Sequence, residues 1–195
     1  MKQKRLIIVE GPDACGKTTF AQQLADMLGG VYWHVTCTKT LAPAMLDYQL
    51  NAVANAQANI MNGQHVVLDR LWPSEYCYGP VLRPDQPIDT DRIRFEASAL
   101  SPIYIFCLDS AAGEPGAVRA ENRHRRHIDP AHPYDAETYL RVYRNYEALY
   151  KELAQDERTR ETTIVRPFDE RIKDQDALGD HNHAFISAIV RKFDL

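Results

Sequence analysis

The chain has 195 residues, 45% of them hydrophobic and 26% charged, with a formal net charge of −4. Such a length buries one full sheet-centred core, and the composition is that of an ordinary globular protein without repeats or low-complexity tracts. The acidic balance disfavours general nucleic-acid binding, and no stretch is long and apolar enough to span a bilayer, so a single cytoplasmic domain over residues 1–195 is expected.

The first predicted strand, Leu6 to Glu10, runs straight into Gly11-Pro12-Asp13-Ala14-Cys15-Gly16-Lys17-Thr18, which fits the phosphate-loop pattern G-x-x-x-x-G-K-[ST] at every fixed position. In such a loop the backbone N–H groups of Gly11, Ala14, Cys15 and Gly16 turn toward a phosphate, and the helix that follows adds its partly positive N-terminus. Lys17 then reaches the terminal phosphates and the Thr18 hydroxyl helps hold Mg²⁺, with Thr19 beside it, so ATP and Mg²⁺ are the implied cofactors. An amphipathic segment from Gly16 to Leu28, stopped by Gly29-Gly30, supplies the helix that the motif requires. Cys15 reads as a small filler of the loop.

A second strand is predicted over Val31 to Cys37 and a second helix from Pro43 to Met61, closing at Asn62-Gly63. The third strand, His65 to Asp69, delivers Asp69 and Arg70 to the carboxyl edge of a parallel sheet, where open α/β sheets bind ligands. A carboxylate there holds Mg²⁺ or accepts a proton, and the guanidinium beside it clamps a phosphate. Trp72 to Tyr78 reads as a helical turn, Gly79 to Pro87 as a proline-studded loop, and Asp89 or Thr90 as the cap of a short helix to Leu100.

The fourth strand, Ile103 to Leu108, leads through a flexible connection, Ala111 to Gly116, into the arginine-rich segment Arg119 to His127. Punctuated by Gly116, Pro130 and Pro133, this stretch of about 112–134 reads as a lid that lowers arginines onto a transferring phosphoryl group. A long helix, Asp135 to Gln155, carries Tyr139, Val142, Tyr146 and Leu149 on one face, read as core. A fifth strand, Thr162 to Arg166, and a last helix from Asp180 to Phe193, capped by Asp180, complete the chain. Alternating strands and helices predict an α/β fold, a five-stranded parallel sheet covered by helices on both faces. Cys15, Cys37, Cys77 and Cys107 lack C-x-x-C spacing, and His181 with His183 points two ways from a helix, so neither zinc nor a disulfide framework is expected.

Glu10 to Thr19, Gly63 ahead of Asp69-Arg70, and Ser74 with Tyr78 together resemble the thymidylate kinase family, whose loop reads E-G-x-D-x-x-G-K-[ST]-[ST] and whose third strand continues D-R-[YH]-x-x-S-x-x-A-Y-Q. The resemblance implies a P-loop kinase three-layer fold with an Arg-rich lid, and phosphorylation of a nucleoside monophosphate. It places Asp13 near the acceptor's sugar and the metal, and Arg70 on the acceptor phosphate. With Lys17 and Asp69, the catalytic arginine is then expected from the lid, with Arg123 and Arg126 as candidates and Arg119 on the nucleotide, while Arg166 to Asp169, Pro167 included, would lie beside the adenine. At the base, Tyr48 stands where the family has arginine, with Gln49 beside it, and Gly79 replaces the glutamine after the motif's tyrosine. Gln49, Asn51 or Asn55 could read a pyrimidine edge, in a way that resembles deoxynucleoside kinases.

A monophosphate acceptor needs clamping more than a base, whereas a hydroxyl acceptor needs a carboxylate, and the end of the second strand has none, though Asp69 could serve. The expected reaction is therefore phosphoryl transfer from ATP to a deoxynucleoside monophosphate, thymidylate-like but with the base open. The alternatives are a kinase for a hydroxymethylated or otherwise modified pyrimidine, in a nucleotide or in DNA, a deoxynucleoside kinase, and an ATP-binding switch without an acceptor. The expected partner is a small-molecule nucleotide acceptor, with DNA only under the modified-base reading and room for a homodimer.

Overall fold

A computed structural model describes residues 3–36, 44–109, 114–126, 135–168 and 175–195, with side chains left out at 114–115, 123–126, 168 and 175–178. In chain order the elements are β1 (Leu6–Glu10), α1 (Lys17–Leu28), β2 (Val31–His34), α2 (Met45–Met61), β3 (Val66–Asp69), α3 (Trp72–Leu82), α4 (Thr90–Ser98), β4 (Ile103–Asp109), α5 (Glu114–Arg126), α6 (Ala136–Gln155), β5 (Thr163–Phe168) and α7 (Gln175–Phe193). The strands form one five-stranded sheet in the order β2-β3-β1-β4-β5. Every pairing is parallel.

The strands are apolar at nearly every position because both faces are covered. Alternation along the pleat sorts the side chains into two layers. Leu6 and Ile8 of β1, Val66 and Leu68 of β3, and Tyr104, Phe106 and Leu108 of β4 pack with α2, α3, α4 and α6. Ile7, Val9, Val67, Ile103, Ile105 and Cys107 face the other way, against Phe20, Ala21 and Leu24 of α1 and Ile186 and Ile189 of α7. The expected three-layer α/β architecture is the one observed. Because the chain leaves β1 for β2 and β3 on one side and then crosses to β4 and β5, the carboxyl ends of β3, β1 and β4 meet at the topological switch point.

Four boundaries differ from expectation by three residues or more. The helix at Trp72 continues past Gly79 to Leu82 with Pro80 inside it, so Gly79 to Leu82 is not loop. Proline there removes one donor only in the final turns, where Arg83 N–H still donates to the Gly79 carbonyl at 2.8 Å. The supposed flexible connection before the arginines is helical from Glu114, since Pro115 sits in the first turn, where its missing N–H has no helical partner to lose. The last helix starts at Gln175, which puts Asp180 inside it rather than at its cap. Strand β2 ends at His34, and Cys37 lies outside the described residues. Among the described residues no helix is long and apolar enough to cross a membrane.

Candidate active site

The loop after β1 is shaped by what its backbone must do. Gly11 has φ +142°, and a Cβ on it would lie 2.4 Å from the Cys107 carbonyl oxygen, so the loop can lie against β4 only with glycine there. Gly16 opens α1 in the left-handed region at φ 72°, which turns the first N–H groups of the helix toward the loop. Lys17 is buried, and its Nζ donates to the Pro12 carbonyl at 2.8 Å, lying 3.8 Å from Cys15 Sγ. The Cys15 thiol donates to the same carbonyl at 2.8 Å and is itself buried, consistent with a filler. Ala14 takes a left-handed φ of 60°, and Thr19 is exposed on the first turn of α1.

Asp69, at the end of β3 and fully buried, gathers three side chains around one carboxylate oxygen. Its Oδ2 accepts from Thr18 Oγ1 at 2.6 Å and from Tyr32 Oη at 3.2 Å, and lies 2.8 Å from His34 Nδ1. Burial pushes its carboxyl up, but the His34 bond, the Lys17 charge, the Thr18 bond and the Arg70 charge together bring it down to about 2. Burial first, and then the Asp69 carboxylate, pushes the Tyr32 hydroxyl up to about 12, which keeps it a donor.

Asp13, Arg70, Ser74 and Tyr78 form a second cluster. Arg70, held in the left-handed region at φ 79°, pairs through Nη2 with Asp13 of the loop and through Nη1 with Ser74 Oγ at 3.1 Å. Its guanidinium lies 5.3 Å from the centre of the Tyr78 ring. Tyr78 Oη accepts from the Asp13 N–H at 3.0 Å, and the Asp13 carbonyl accepts from Tyr139 Oη at 3.0 Å. So Asp13, Arg70, Ser74 and Tyr78, named from sequence, meet as a unit, and Lys17, Thr18 and Asp69 meet beside it.

Other predicted residues stand apart. On α2, Tyr48 packs against the core and Gln49 is fully buried. Arg119 Nη2 pairs with buried Asp109 at the end of β4 at 2.6 Å, which holds α5 to the carboxyl edge. The backbone of Arg123 and Arg126 lies in α5, and their side chains fall outside the described residues, as do residues 112–113 and 127–134 of the proposed lid. Pro167 pairs with Leu108 at the end of β5, and Asp169 lies outside the described residues. Arg166 is buried over the Phe20 ring at 4.9 Å and bonded to Asn182, whose amide donates to Gln23 at 2.6 Å, so it ties α1 to α7.

Sequence reasoning missed the polar ends of the tyrosines on α6. Tyr139 and Tyr146 are core by spacing, yet their hydroxyls reach the Asp13 carbonyl and Glu10, and that of Tyr143 accepts from the Asp109 N–H. It also missed Tyr32 and His34, which the register of β2 against β3, His34 opposite Asp69, places beside that carboxylate.

No protein-family model matches the chain, and no curated protein matches it. Solved structures do. The YorR protein of Bacillus subtilis, in complex with phosphorylated GDP, superposes with a TM-score of 0.60 at 18% identity over 95% of this chain and 96% of its own. The deoxyadenosine kinase of M. mycoides, solved with products dCMP and dCDP and again with dATP, gives 0.60 at 16% identity over 94% of this chain and 98% of its own. These likenesses span nearly the whole chain and establish the three-layer fold found in such kinases.

Proposed function

We propose that this protein is an ATP- and Mg²⁺-dependent kinase acting on a deoxynucleoside monophosphate. The reading rests above all on Arg70, which is joined to Asp13 of the phosphate loop on one side and to Ser74 on the other, beside the Lys17 ammonium. A guanidinium fork set between the phosphate loop and the Tyr78 ring is the group that grips an acceptor phosphate, displacing its internal partner Asp13 toward the sugar. Lys17, held on Pro12 until a nucleotide enters, moves to the terminal phosphates of ATP, and the loop N–H groups receive the rest of the chain of phosphates.

Mg²⁺ fits the residues present. Asp69 Oδ1 is buried without a hydrogen-bond partner among the described residues, and Thr18 Oγ1 stands on the other carboxylate oxygen, an all-oxygen set of the kind Mg²⁺ prefers. When bound, the ion neutralises charge on the phosphate oxygens. Among the described residues no cluster of three metal-ligating side chains exists, so the substrate phosphates would complete its shell. Arg123 and Arg126 on α5 are the candidates for stabilising the transferring phosphoryl group, and Arg119 for contacting ATP.

The charge state of Asp69 favours a monophosphate over a nucleoside acceptor. A hydroxyl needs a base with some affinity for its proton, and a carboxyl held at about 2 is a poor one, suited instead to a cation. The neighbouring deoxyadenosine kinase makes the nucleoside reading the one to test against. Supplying ATP and Mg²⁺ with each deoxynucleoside and each deoxynucleoside monophosphate decides it: diphosphate product from a monophosphate is expected, and turnover of nucleosides alone overturns the proposal.

A further inference from the structure

Glu10 is the last residue of β1 and continues the face of Leu6 and Ile8, so its carboxyl occupies a core-facing position of the pleat. It is fully buried, and nothing in the transfer chemistry above uses it. Its Oε1 accepts from the Leu71 N–H at 2.6 Å, and its Oε2 accepts from Ser74 Oγ at 2.7 Å and from Tyr146 Oη at 3.1 Å. Ser74 Oγ, with its proton directed to Glu10, offers its lone pairs to Arg70 Nη1 at 3.1 Å. The carboxylate therefore stands directly behind the guanidinium, one hydroxyl away. It also clamps the turn from β3 into α3, where Arg70 has φ 79° and Leu71 lies at −160°.

We propose that Glu10 is a positioning residue for Arg70, orienting Ser74 and the strained turn so that the guanidinium meets the acceptor phosphate, and that acceptor binding is coupled to proton uptake by Glu10. The inference rests on the reading of Arg70 as the acceptor clamp.

The coupling follows from the charges around Glu10. Burial pushes its carboxyl up to about 7, and of the groups opposing that rise the Arg70 charge is the largest, ahead of the Ser74 and Leu71 bonds and the Lys17 charge. The other groups facing it are Tyr146 of α6, Cys77 of α3 and Tyr104 of β4, all themselves pushed up by burial and all neutral at pH 8. Among the described residues, Arg70 and Lys17 are thus the cations whose charge acts on it. An acceptor dianion on Arg70 cancels most of the field that keeps Glu10 ionised, and the proton affinity of the carboxyl rises. By linkage, acceptor binding then takes up protons, and binding weakens as the pH climbs past the point where Glu10 can be protonated.

Calorimetric titration of the ATP-free protein at pH 8 with dTMP, dCMP, dAMP and dGMP singly, in buffers of different ionisation enthalpy, reads the proton count directly. At that pH the nucleotide is already a dianion, its second ionisation lying at about 6, so its own proton contributes little. For those that bind, uptake on the order of 0.4 proton per site is expected, the amount that a tenfold rise in proton affinity gives from a starting value near 7. ATP binding should show none. Glu10→Gln should abolish the uptake and raise the acceptor KM at least tenfold while leaving the ATP KM unchanged. Should that variant fail to fold, Tyr146→Phe keeps the carboxylate, removes one donor and should move the uptake to higher pH. Binding of a monophosphate without proton uptake in the unsubstituted protein overturns the proposal and leaves the kinase reading standing. Failure of all four to bind overturns both.

Discussion

A phosphate-gripping arginine and a phosphate-gripping lysine differ in geometry more than in charge. Arg70 already makes two separate contacts from its two terminal nitrogens, to Asp13 and to Ser74, and this planar fork is what a phosphate would meet. An ammonium at the same place keeps the charge and loses the fork. Arg70→Lys should therefore raise the acceptor KM and lower kcat/KM for the acceptor by about 100-fold, corresponding to about 2.7 kcal/mol, while the ATP KM stays within twofold in steady-state kinetics. The two buried carboxyls of the site also give opposite signatures in stability. Glu10, at about 7 against an ordinary 4.5, binds its proton better folded than unfolded, so its contribution is full below pH 4.5 and is lost as the pH rises through 7. Asp69, at about 2 against 3.8, contributes above pH 3.8 and loses that contribution as the pH falls through 2. Relative to Glu10→Gln, the unsubstituted protein should lose about 3 kcal/mol of unfolding free energy between pH 4.5 and 7.5, read from urea midpoints.

At the scale of elements, α6 is the member that joins the others. Tyr139 touches the phosphate loop, Tyr143 the end of β4, and Tyr146 the polar group at the end of β1, while Ala117 and Ala120 of α5 pack on Tyr139 and Tyr143. Tyr139→Phe deletes one hydroxyl from an otherwise buried ring, so it should cost about 1 kcal/mol, a fall of 2–4 °C in Tm, and weaken ATP binding several-fold by loosening Asp13. The stripe of tyrosines was legible as a buried face because burial follows the 3.6-residue period. Its hydroxyl partners were not, since they come from β1, β4 and the loop, distant in sequence and set by tertiary packing. The same division holds elsewhere. The extent of β1 and the cap Asp89 on α4 follow from local pattern, and Asp89 does accept from the Arg92 N–H at 3.0 Å. The length of α3 did not, because Pro80 signals a break locally while the buried pair Glu75 and Arg83 and the packed Cys77 and Tyr78 hold the helix together. The convergence of Asp13, Lys17, Thr18, Asp69 and Arg70 was readable because fixed spacing from the ends of β1 and β3 brings them to one edge of the sheet. The structural tie that Arg166 makes was not readable, because strand register alone does not say which face an arginine takes, and packing on Phe20 and Asn182 sets it.

For the molecule as a whole, the sheet order brings three strand ends to one edge, and binding there should stiffen elements from both layers at once. The loop of β1 contacts Tyr78 of α3 and Tyr139 of α6, Asp69 of β3 contacts Thr18 of α1, and Asp109 of β4 contacts Arg119 of α5. A ligand that occupies this edge only when the chain is folded stabilises every element that builds it, by an amount fixed by mass action. At 100 times its Kd, Mg²⁺ with a non-hydrolysable ATP analogue should add about 2.7 kcal/mol, which for a domain of this size raises Tm by roughly 5–11 °C. Lys17→Met separates this from any general effect of the nucleotide. The lysine is buried and bonded internally to Pro12, and methionine fills its volume without leaving a charge to desolvate, so the unliganded Tm should move by no more than about 3 °C. Because the proposed reading sends this ammonium to the terminal phosphates, the variant should lose most of the ligand-induced rise. Calorimetric scans of both proteins with and without the analogue measure all four values. An equal rise in the two would mean that nucleotide binds somewhere other than the edge where the strands converge.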